Sequence, residues 1–424
     1  MSLKAPEAAG WMARQVRVYG PDAIVNATAF SGKGAEGRSP LDPGEVPVFQ
    51  VALATSTRAA WAEAERGLSP ADLAMHVVLP EVDGRLTGGV VSFKEPGKRD
   101  PDLQFARYAH ATDEERTNAV VARVRGWTDL ASIPVSKRRV ALVLSTYPGK
   151  DWNMGHAVGL DAPASARAIL SDLARAGYDV EAAAPDLEDR LLAQDVRLPL
   201  AAYGSLLDRL PRQLRNDLHA AWGAPAADDS VSDGAFRFAV WHTGRGLVAL
   251  QPERGTPKLR DDEYHDLSRT PRHAYVAFYL WLQQQADALV HVGAYGTLEW
   301  LPGKSVALSR ECWPEVLTGA LPVIYPFIVN DPGEAAQAKR RIGAVTLGHV
   351  PPPLRQSETP DRLSRLEALL DEFSNADGLD PKRRDRLQTD IRTEAQVLGV
   401  EDDLGLDGVA CSAEAITQIG RAHV

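Results

Sequence analysis

The side chains best placed to do chemistry stand close together in HVGAYGTLEWLPGKS, residues 291 to 305, where the imidazole of His291, the carboxylate of Glu299 and the ammonium of Lys304 share one loop-like stretch. Its Gly-Lys-Ser ending invites comparison with a phosphate-binding loop. Such a loop needs a glycine, four residues and then Gly-Lys-Ser or Gly-Lys-Thr, so that successive N–H groups curl around the phosphates. The spacing fails here: Leu298 stands where the glycine belongs, the nearest upstream glycine is Gly296, and the bulky run Leu298 to Pro302 fills the cradle. A second near miss, GKGAEGRS at Gly32 to Ser39, has the spacing but carries Arg38 in the lysine position. Pro40 and Pro43 follow it and cannot open the helix that should hold the phosphates. No ATP site is expected, so any ATP the reaction consumes is hydrolysed by another chain.

His291 ends the apolar run DALVHVGA, which reads as a strand turning into a glycine-bearing loop, and open α/β sheets bind ligands at the carboxyl ends of their strands. A neutral imidazole there serves as base or metal ligand near neutral pH; the plainer alternative is a histidine that closes the loop by hydrogen bonds. Glu299 is either a proton acceptor or the structural ion-pair partner of Lys304. His273 opens a long apolar helix, where it faces a cleft or makes helix-start hydrogen bonds. His265 has Asp261, Asp262, Glu263 and Asp266 around it, which would raise its pKa and attract a cation, or it belongs to a solvated acidic turn. NDPGEAAQAKRR reads as a helix start, with Asp331 as cap, Pro332 first and Glu334 in the capping-box position. Alternatively that terminus, with Lys339, Arg340 or Arg341, meets ligand carboxylates. Glu81 and Asp83 line a cleft or make a tight turn closed by Gly84. Trp300, Trp313, Tyr325 and Phe327 pave a flat surface or fill the core.

The elements that must hold these groups alternate strand and helix. DAIVNATAF, VPVFQVALA, RRVALVLSTYP, DALVHVGA and LPVIYPFIV read as strands, LAMHVVLPEVDG at Leu73 to Gly84 as a strand with a turn, and YDVEAAAP at Tyr178 to Pro185 as a strand completing a βαβ unit. FRFAVWH and GLVALQPE read as a hairpin, and PRHAYVAFYLWLQQQ as a largely buried helix. The helix at Ala164 to Ala176 carries Ala166, Ile169, Leu170 and Leu173 on one stripe, with Pro163 in its first turn and Gly177 at its end. The pattern predicts a multidomain α/β protein with Rossmann-like, doubly wound parallel sheets flanked by helices. The expected divisions are an N-terminal α/β domain over 1–133, an α/β core with a helical insertion over 134–355, and a charged helical arm over 356–417. Both ends look cut, and QIGRAHV at 418–424 is what adapter read-through would encode.

A formal net charge of -10 disfavours a nucleic-acid partner, because such binding draws on lysine and arginine displacing counterions. Two cysteines, Cys312 and Cys411, exclude a disulfide framework or a zinc ribbon and fit a reducing compartment. No apolar run is long enough to span a membrane and no export signal is visible, so a cytoplasmic location is expected.

Read together, HVGAYGTLEWLPGKSVALS, ECWPEVLTGALPVIYPFIVNDPGEAAQAKRR and VVLPEVDG resemble the large subunits of the cobaltochelatase (CobN type) and magnesium chelatase family. VALVLSTYP, VGLDAPASARAILSDLARAGYDV, PRHAYVAFYLWL, EWLPGK and YPFIVNDPGE resemble the cobalt branch. The resemblance covers nearly the whole chain, which would be an interior portion of a longer one. It implies insertion of Co2+ into a corrin-ring precursor, hydrogenobyrinic acid a,c-diamide, in aerobic cobalamin synthesis. It also implies that ATP and Mg2+ act on two partner subunits of CobS/CobT type, one of them an AAA+ ATPase.

Metal insertion into a macrocycle requires a flat apolar cleft, a base for ring N–H protons, and a few weak ligands that deliver the ion; cobalt accepts imidazole nitrogen and carboxylate oxygen. On that reading His291, Glu299 and His273 are the catalytic candidates, and His291, Glu299 and His265 the metal-binding ones. Tyr295, Lys304, Arg340, Arg341, Glu334 and Glu81 are the substrate-binding candidates. At Tyr295 the chain departs from the family, which usually has histidine in this Gly-x-His-Gly position, and a phenol of pKa ~10 is a poor ligand and weak base. Either that histidine is dispensable or this version is impaired. The alternatives are a magnesium-protoporphyrin chelatase subunit and a tetrapyrrole-binding scaffold without insertion activity.

Overall fold

The computed structural model describes residues 5, 7–34, 37–145, 156–157, 160–182, 186–192, 196–255, 267–293, 298–329, 332–349, 365–366, 368–370, 372–373 and 381–397. The chain divides into two compact units, Met1–Pro351 and Pro352–Val424. In the second, the described residues are helical, chiefly over Pro381–Val397.

The first unit contains two larger sheets. In one, β1 (Ile24–Asn26), β2 (Val48–Ala54) and β3 (Leu86–Asp100) run parallel in that order, and β4 (Phe105–Thr112) returns antiparallel along β3. Most of β2 is buried, as the apolar text VFQVALA requires of a parallel strand covered on both faces. Trp61 and Phe93 pack at 5.0 Å beneath it and share their cluster with Val306 and Ala307, from the stretch that follows His291 in sequence.

The second sheet has β5 (Val140–Leu144) at its middle. On one side lie β7 (Gly246–Leu250) and its antiparallel hairpin partner β6 (Val240–Thr243). On the other lie β8 (Ala288–Val292), β9 (Val323–Ile328) and β10 (Val345–His349), all parallel to β5. Every residue of β5 is buried, and helix His273–Gln285 is buried at each position from His273 to Leu282, which explains why its text shows no polar stripe. Because the chain leaves β5 toward opposite sides, the carboxyl ends of β5, β7 and β8 border a topological switch point, the usual ligand crevice of an open α/β sheet.

The fold is α/β with parallel-containing sheets flanked by helices, as the alternation predicts. Two expected strands are corrected. The stretch 73–84 is helical over most of its length: Ser69 caps the start by accepting from Asp72 N–H at 3.1 Å, Pro70 follows, and a π-helical turn at Ala74–Val78 leads into Leu79–Glu81. That capping sequence outweighs the apolar run behind it. Residues 178–182 form no strand either, because β7 and β8 already occupy both edges of β5. Instead Tyr178 and Val180 pack into the core and Glu181 N–H donates to Thr243 Oγ1 at 2.7 Å. The preceding helix spans Ala162–Arg175, capped by Asp161, and buries Ala162, Ala166 and Leu170.

Candidate active site

His291 sits on β8, one residue before the strand ends, fully buried between β5 and helix His273–Gln285. The Gln251 side-chain oxygen, just past β7, accepts from Tyr279 Oη at 2.8 Å and from His291 Nε2 at 2.8 Å. This places the imidazole proton on Nε2 and leaves the Nδ1 lone pair facing inward, buried, with no hydrogen-bond partner among the described residues. Burial alone pushes the imidazole pKa down to about 4, so the ring is neutral at physiological pH. Beyond it the backbone turns tightly: a Cβ on Gly293 would stand 1.5 Å from Ser145 Oγ, so only glycine lets the ends of β5 and β8 approach this closely.

Tyr325 on β9 connects the histidine to Glu299. Its ring stacks on His291 with centroids 5.7 Å apart and 17° between planes, and its hydroxyl donates to Glu299 Oε1 at 2.8 Å. Glu299 is fully buried in the short 3-10 turn Leu298–Trp300. Its other oxygen receives no N–H or O–H donor among the described residues, and its neighbour is the buried carboxyl of Glu334, to which Trp300 Nε1 donates at 3.1 Å. Burial pushes the Glu299 pKa up to about 7, against the lowering effects of the Tyr325 hydroxyl, Arg341 and Glu334. Two buried carboxyls side by side can share one proton, as like charges at short range resist ionising together. The cluster thus offers an imidazole lone pair and a carboxyl that gains and loses a proton near neutrality.

The other sequence candidates have different positions. Arg341 is buried, and its guanidinium donates to four backbone carbonyls of the same stretch: Glu299, Leu301 at 2.8 Å, Gly303 at 3.0 Å and Lys304 at 3.1 Å. Lys304 pairs not with Glu299 but with the carbonyls of Ala62 and Ala64 at 2.9 and 2.7 Å, at the end of helix Arg58–Glu63. Its ammonium therefore closes a helix C-terminus, and no helix starts after it until Trp313, which completes the case against a phosphate loop. In the other near miss, Asp83 accepts from Gly32 N–H at 2.7 Å, so a carboxylate stands where a phosphate would have to go.

Arg340 and Glu81 bind one another through two contacts of 3.0 and 2.8 Å. Asp83 is held by Arg85 at 2.6 Å within the turn that Gly84 closes at φ 74°. Both ring nitrogens of His273 are engaged, by Tyr203 Oη at 2.9 Å and the Gly223 carbonyl at 3.1 Å. Trp313 and Tyr325 are core residues, while Trp300 and Phe327 are half-buried. Tyr295, His265 and the Asp331 cap lie outside the described residues. Sequence reasoning missed Gln251 and Tyr279, and it weighed Tyr325 as flat surface or core, the second of which holds, without seeing its hydroxyl as a donor. A polar residue directly after a strand and tyrosines within an otherwise apolar helix were the available signals.

The family model described as CobN/Magnesium Chelatase matches residues 4–422. The chain is 42% identical to the aerobic cobaltochelatase subunit CobN of Pseudomonas aeruginosa over 403 residues, 90% of this chain and 32% of that protein. It is 39% identical to the same subunit of a Sinorhizobium species over 428 residues, 96% of this chain and 33% of that protein. The magnesium-chelatase H-type subunit of Chlorobaculum parvum is 28% identical over 359 residues, 80% of this chain and 27% of that protein. Among solved structures, the catalytic subunit of cobaltochelatase from Mycobacterium tuberculosis superposes with TM-score 0.70 at 33% identity, covering 99% of this chain and 37% of that one. The chain spans about a third of the length of the curated relatives it matches.

Proposed function

The chain belongs to the CobN/magnesium chelatase family, and from that membership we propose that it forms part of the large, substrate- and metal-holding subunit of an ATP-dependent cobaltochelatase. In this reading it inserts Co2+ into hydrogenobyrinic acid a,c-diamide during aerobic cobalamin synthesis, in the cytoplasm. ATP, with its Mg2+, is hydrolysed by an AAA+ ATPase and a second chelatase subunit of CobS/CobT type. The failed spacing of both glycine-rich stretches supports that division of labour.

The observation that carries the proposal is the 39% and 42% identity to the CobN subunits, and the fully buried, connected His291–Tyr325–Glu299 cluster is the candidate for its chemistry. Its neutral imidazole, with Nδ1 unshared, provides one weak nitrogen donor for an arriving Co2+. The Glu299 and Glu334 carboxyls take up protons displaced from ring N–H groups as the metal enters. Among the described residues no three His, Cys, Asp or Glu side chains form a metal cage, and a delivery route works with few ligands because tight binding would retain the ion.

Cobalt is preferred over magnesium because the likeness to the CobN proteins, 39% and 42% identity, exceeds that to the magnesium-chelatase subunit, 28%. Tyr295 favours the alternative of a tetrapyrrole-binding scaffold without insertion activity. The test uses the full-length protein. Soret-band titration with the corrin precursor and with protoporphyrin separates the metal branches. Cobalt insertion with both partner subunits and ATP separates enzyme from scaffold. Ring binding without insertion would sink the enzyme reading.

A further inference from the structure

At the amino edge of the second sheet, opposite the His291 cluster, lies a cavity of about 610 Å³. The position follows from strand direction: β8 and β9 are parallel, His291 is near the far end of β8, and the lining residues Gly319 and Ala320 precede the start of β9. The remaining wall comes from β3, helix Glu114–Ser132 and the first turn of helix Arg212–Trp222.

Six arginines line this space, Arg116, Arg123, Arg209, Arg212, Arg215 and Arg310, against the single carboxylate of Glu315. That carboxylate is already engaged by Arg116 Nη1 at 2.8 Å, and Arg116 is bound by Glu115 as well, so its charge is fully compensated. Arg123 is partly buried against the carbonyls of Thr87 and Gly88, at 3.1 and 3.0 Å, and makes no ion pair among the described residues. Arg215 contacts the exposed Asp208 at 3.2 Å, and its Nε is buried without an acceptor. Among the described residues Arg310 has an exposed pair with its neighbour Glu311, a kind of contact that contributes little. Arg209 and Arg212 are exposed, and their guanidinium groups have no partner among the described residues. Between these cations the lining is glycine, alanine, valine, leucine and proline.

Arg123, Arg209 and Arg212 have no ion pair among the described residues, and a bound anion would supply the counter-charge they lack. The planar guanidinium fork matches the two oxygens of a carboxylate or phosphate. The volume lies within the range of small-molecule sites, roughly 300 to 1,000 Å³, and the apolar wall between the arginines suits a carbon skeleton. We infer that this cavity is a binding site for a multiply charged organic oxyanion bearing carboxylate or phosphate groups, separate from the metal-insertion cluster and independent of the function proposed for it.

Calorimetric titration of the full-length protein with citrate, inorganic pyrophosphate and a hexaglutamate peptide tests this. At least one small anion should bind wild type, and its Kd should rise about tenfold or more in the Arg209→Gln/Arg212→Gln double variant. His291→Phe, at the other edge, should leave that Kd unchanged. Stronger citrate binding identifies a polycarboxylate, and stronger pyrophosphate binding a phosphate. Both altered side chains are exposed and partnerless among the described residues, so the variant should keep the wild-type melting temperature. The inference is overturned if neither small anion binds wild type more tightly than the variant. Tighter binding of hexaglutamate than of both would also overturn it, assigning the cavity to an acidic segment of a protein partner.

Discussion

Replacing Glu299 by glutamine removes one ionisation and little else. The amide has the shape of the carboxyl; its oxygen can keep the Tyr325 hydroxyl, now 2.8 Å away, and its NH2 can donate to Glu334. In the wild-type fold, burial lifts the carboxyl from its ordinary 4.5 to about 7. The native state therefore holds this proton more tightly than the unfolded chain, and stability falls as pH rises from about 4.5 through about 7. At about 1.4 kcal/mol per pH unit the full loss is about 3 kcal/mol, of which roughly 2 falls between pH 5 and pH 8. Glutamine has no such dependence. Urea denaturation across that range should give nearly equal stabilities at the acid end and a variant more stable by about 2 kcal/mol at the alkaline end. Cobalt insertion by the same variant should fall about 10²-fold or more, because the proton acceptor is gone. A stability difference that does not change with pH would refute the burial argument, and undiminished insertion would refute the base assignment.

His291→Phe keeps a ring against Tyr325 and leaves Gln251 its Tyr279 donor, so the chain should fold while insertion by the full-length assembly drops about 10²-fold; near-normal turnover would remove His291 from the chemistry. Since His291 is held near 4 and Glu299 near 7, the insertion rate should rise with pH along one limb near 7, without a separate histidine inflection in the pH profile. Arg341→Met strips the donor from four carbonyls and should cost about 4 kcal/mol, seen as a large drop in melting temperature. Lys304→Met loses the Ala62 and Ala64 carbonyls and should cost about 1 to 2 kcal/mol, with ATP consumption by the assembled chelatase unchanged.

The strands β2, β5, β8 and β9 are legible in the amino-acid text because parallel strands covered on both faces read as short continuous apolar runs. The same rule misleads over residues 73–84, where an apolar run follows a Ser-Pro-Ala-Asp helix start and the cap decides the outcome. Over residues 178–182 the local text is strand-like, but a strand needs a free edge, and edge occupancy is set by β7, far along the chain. His291 and Glu299 could be singled out by residue type and by their place after an apolar run. Their connection could not, because it passes through Gln251, Tyr279 and Tyr325, which only the folded sheet brings together. Arg340 and Arg341 are adjacent and chemically identical, yet one meets Glu81 and the other enters the core. Nothing in the local pattern distinguishes them.

The behaviour of Glu299 depends on how the stretch from Leu298 to Cys312 is held. These residues have no β-ladder, so their buried carbonyls must find other donors or lose hydration without compensation. Side chains from three helices provide them: Arg341 donates to four, Trp61 Nε1 to Ala307 at 3.0 Å, and Arg116 to Leu308 at 2.6 Å. A loop fixed this way excludes water from its own turn, and that exclusion keeps the Glu299 carboxyl near neutrality instead of at its solution value. The Gly-Lys-Ser ending serves the same purpose, since Lys304 ties the stretch to the helix of the first sheet. The lysine that fails as a phosphate ligand thus anchors the same stretch that holds Glu299.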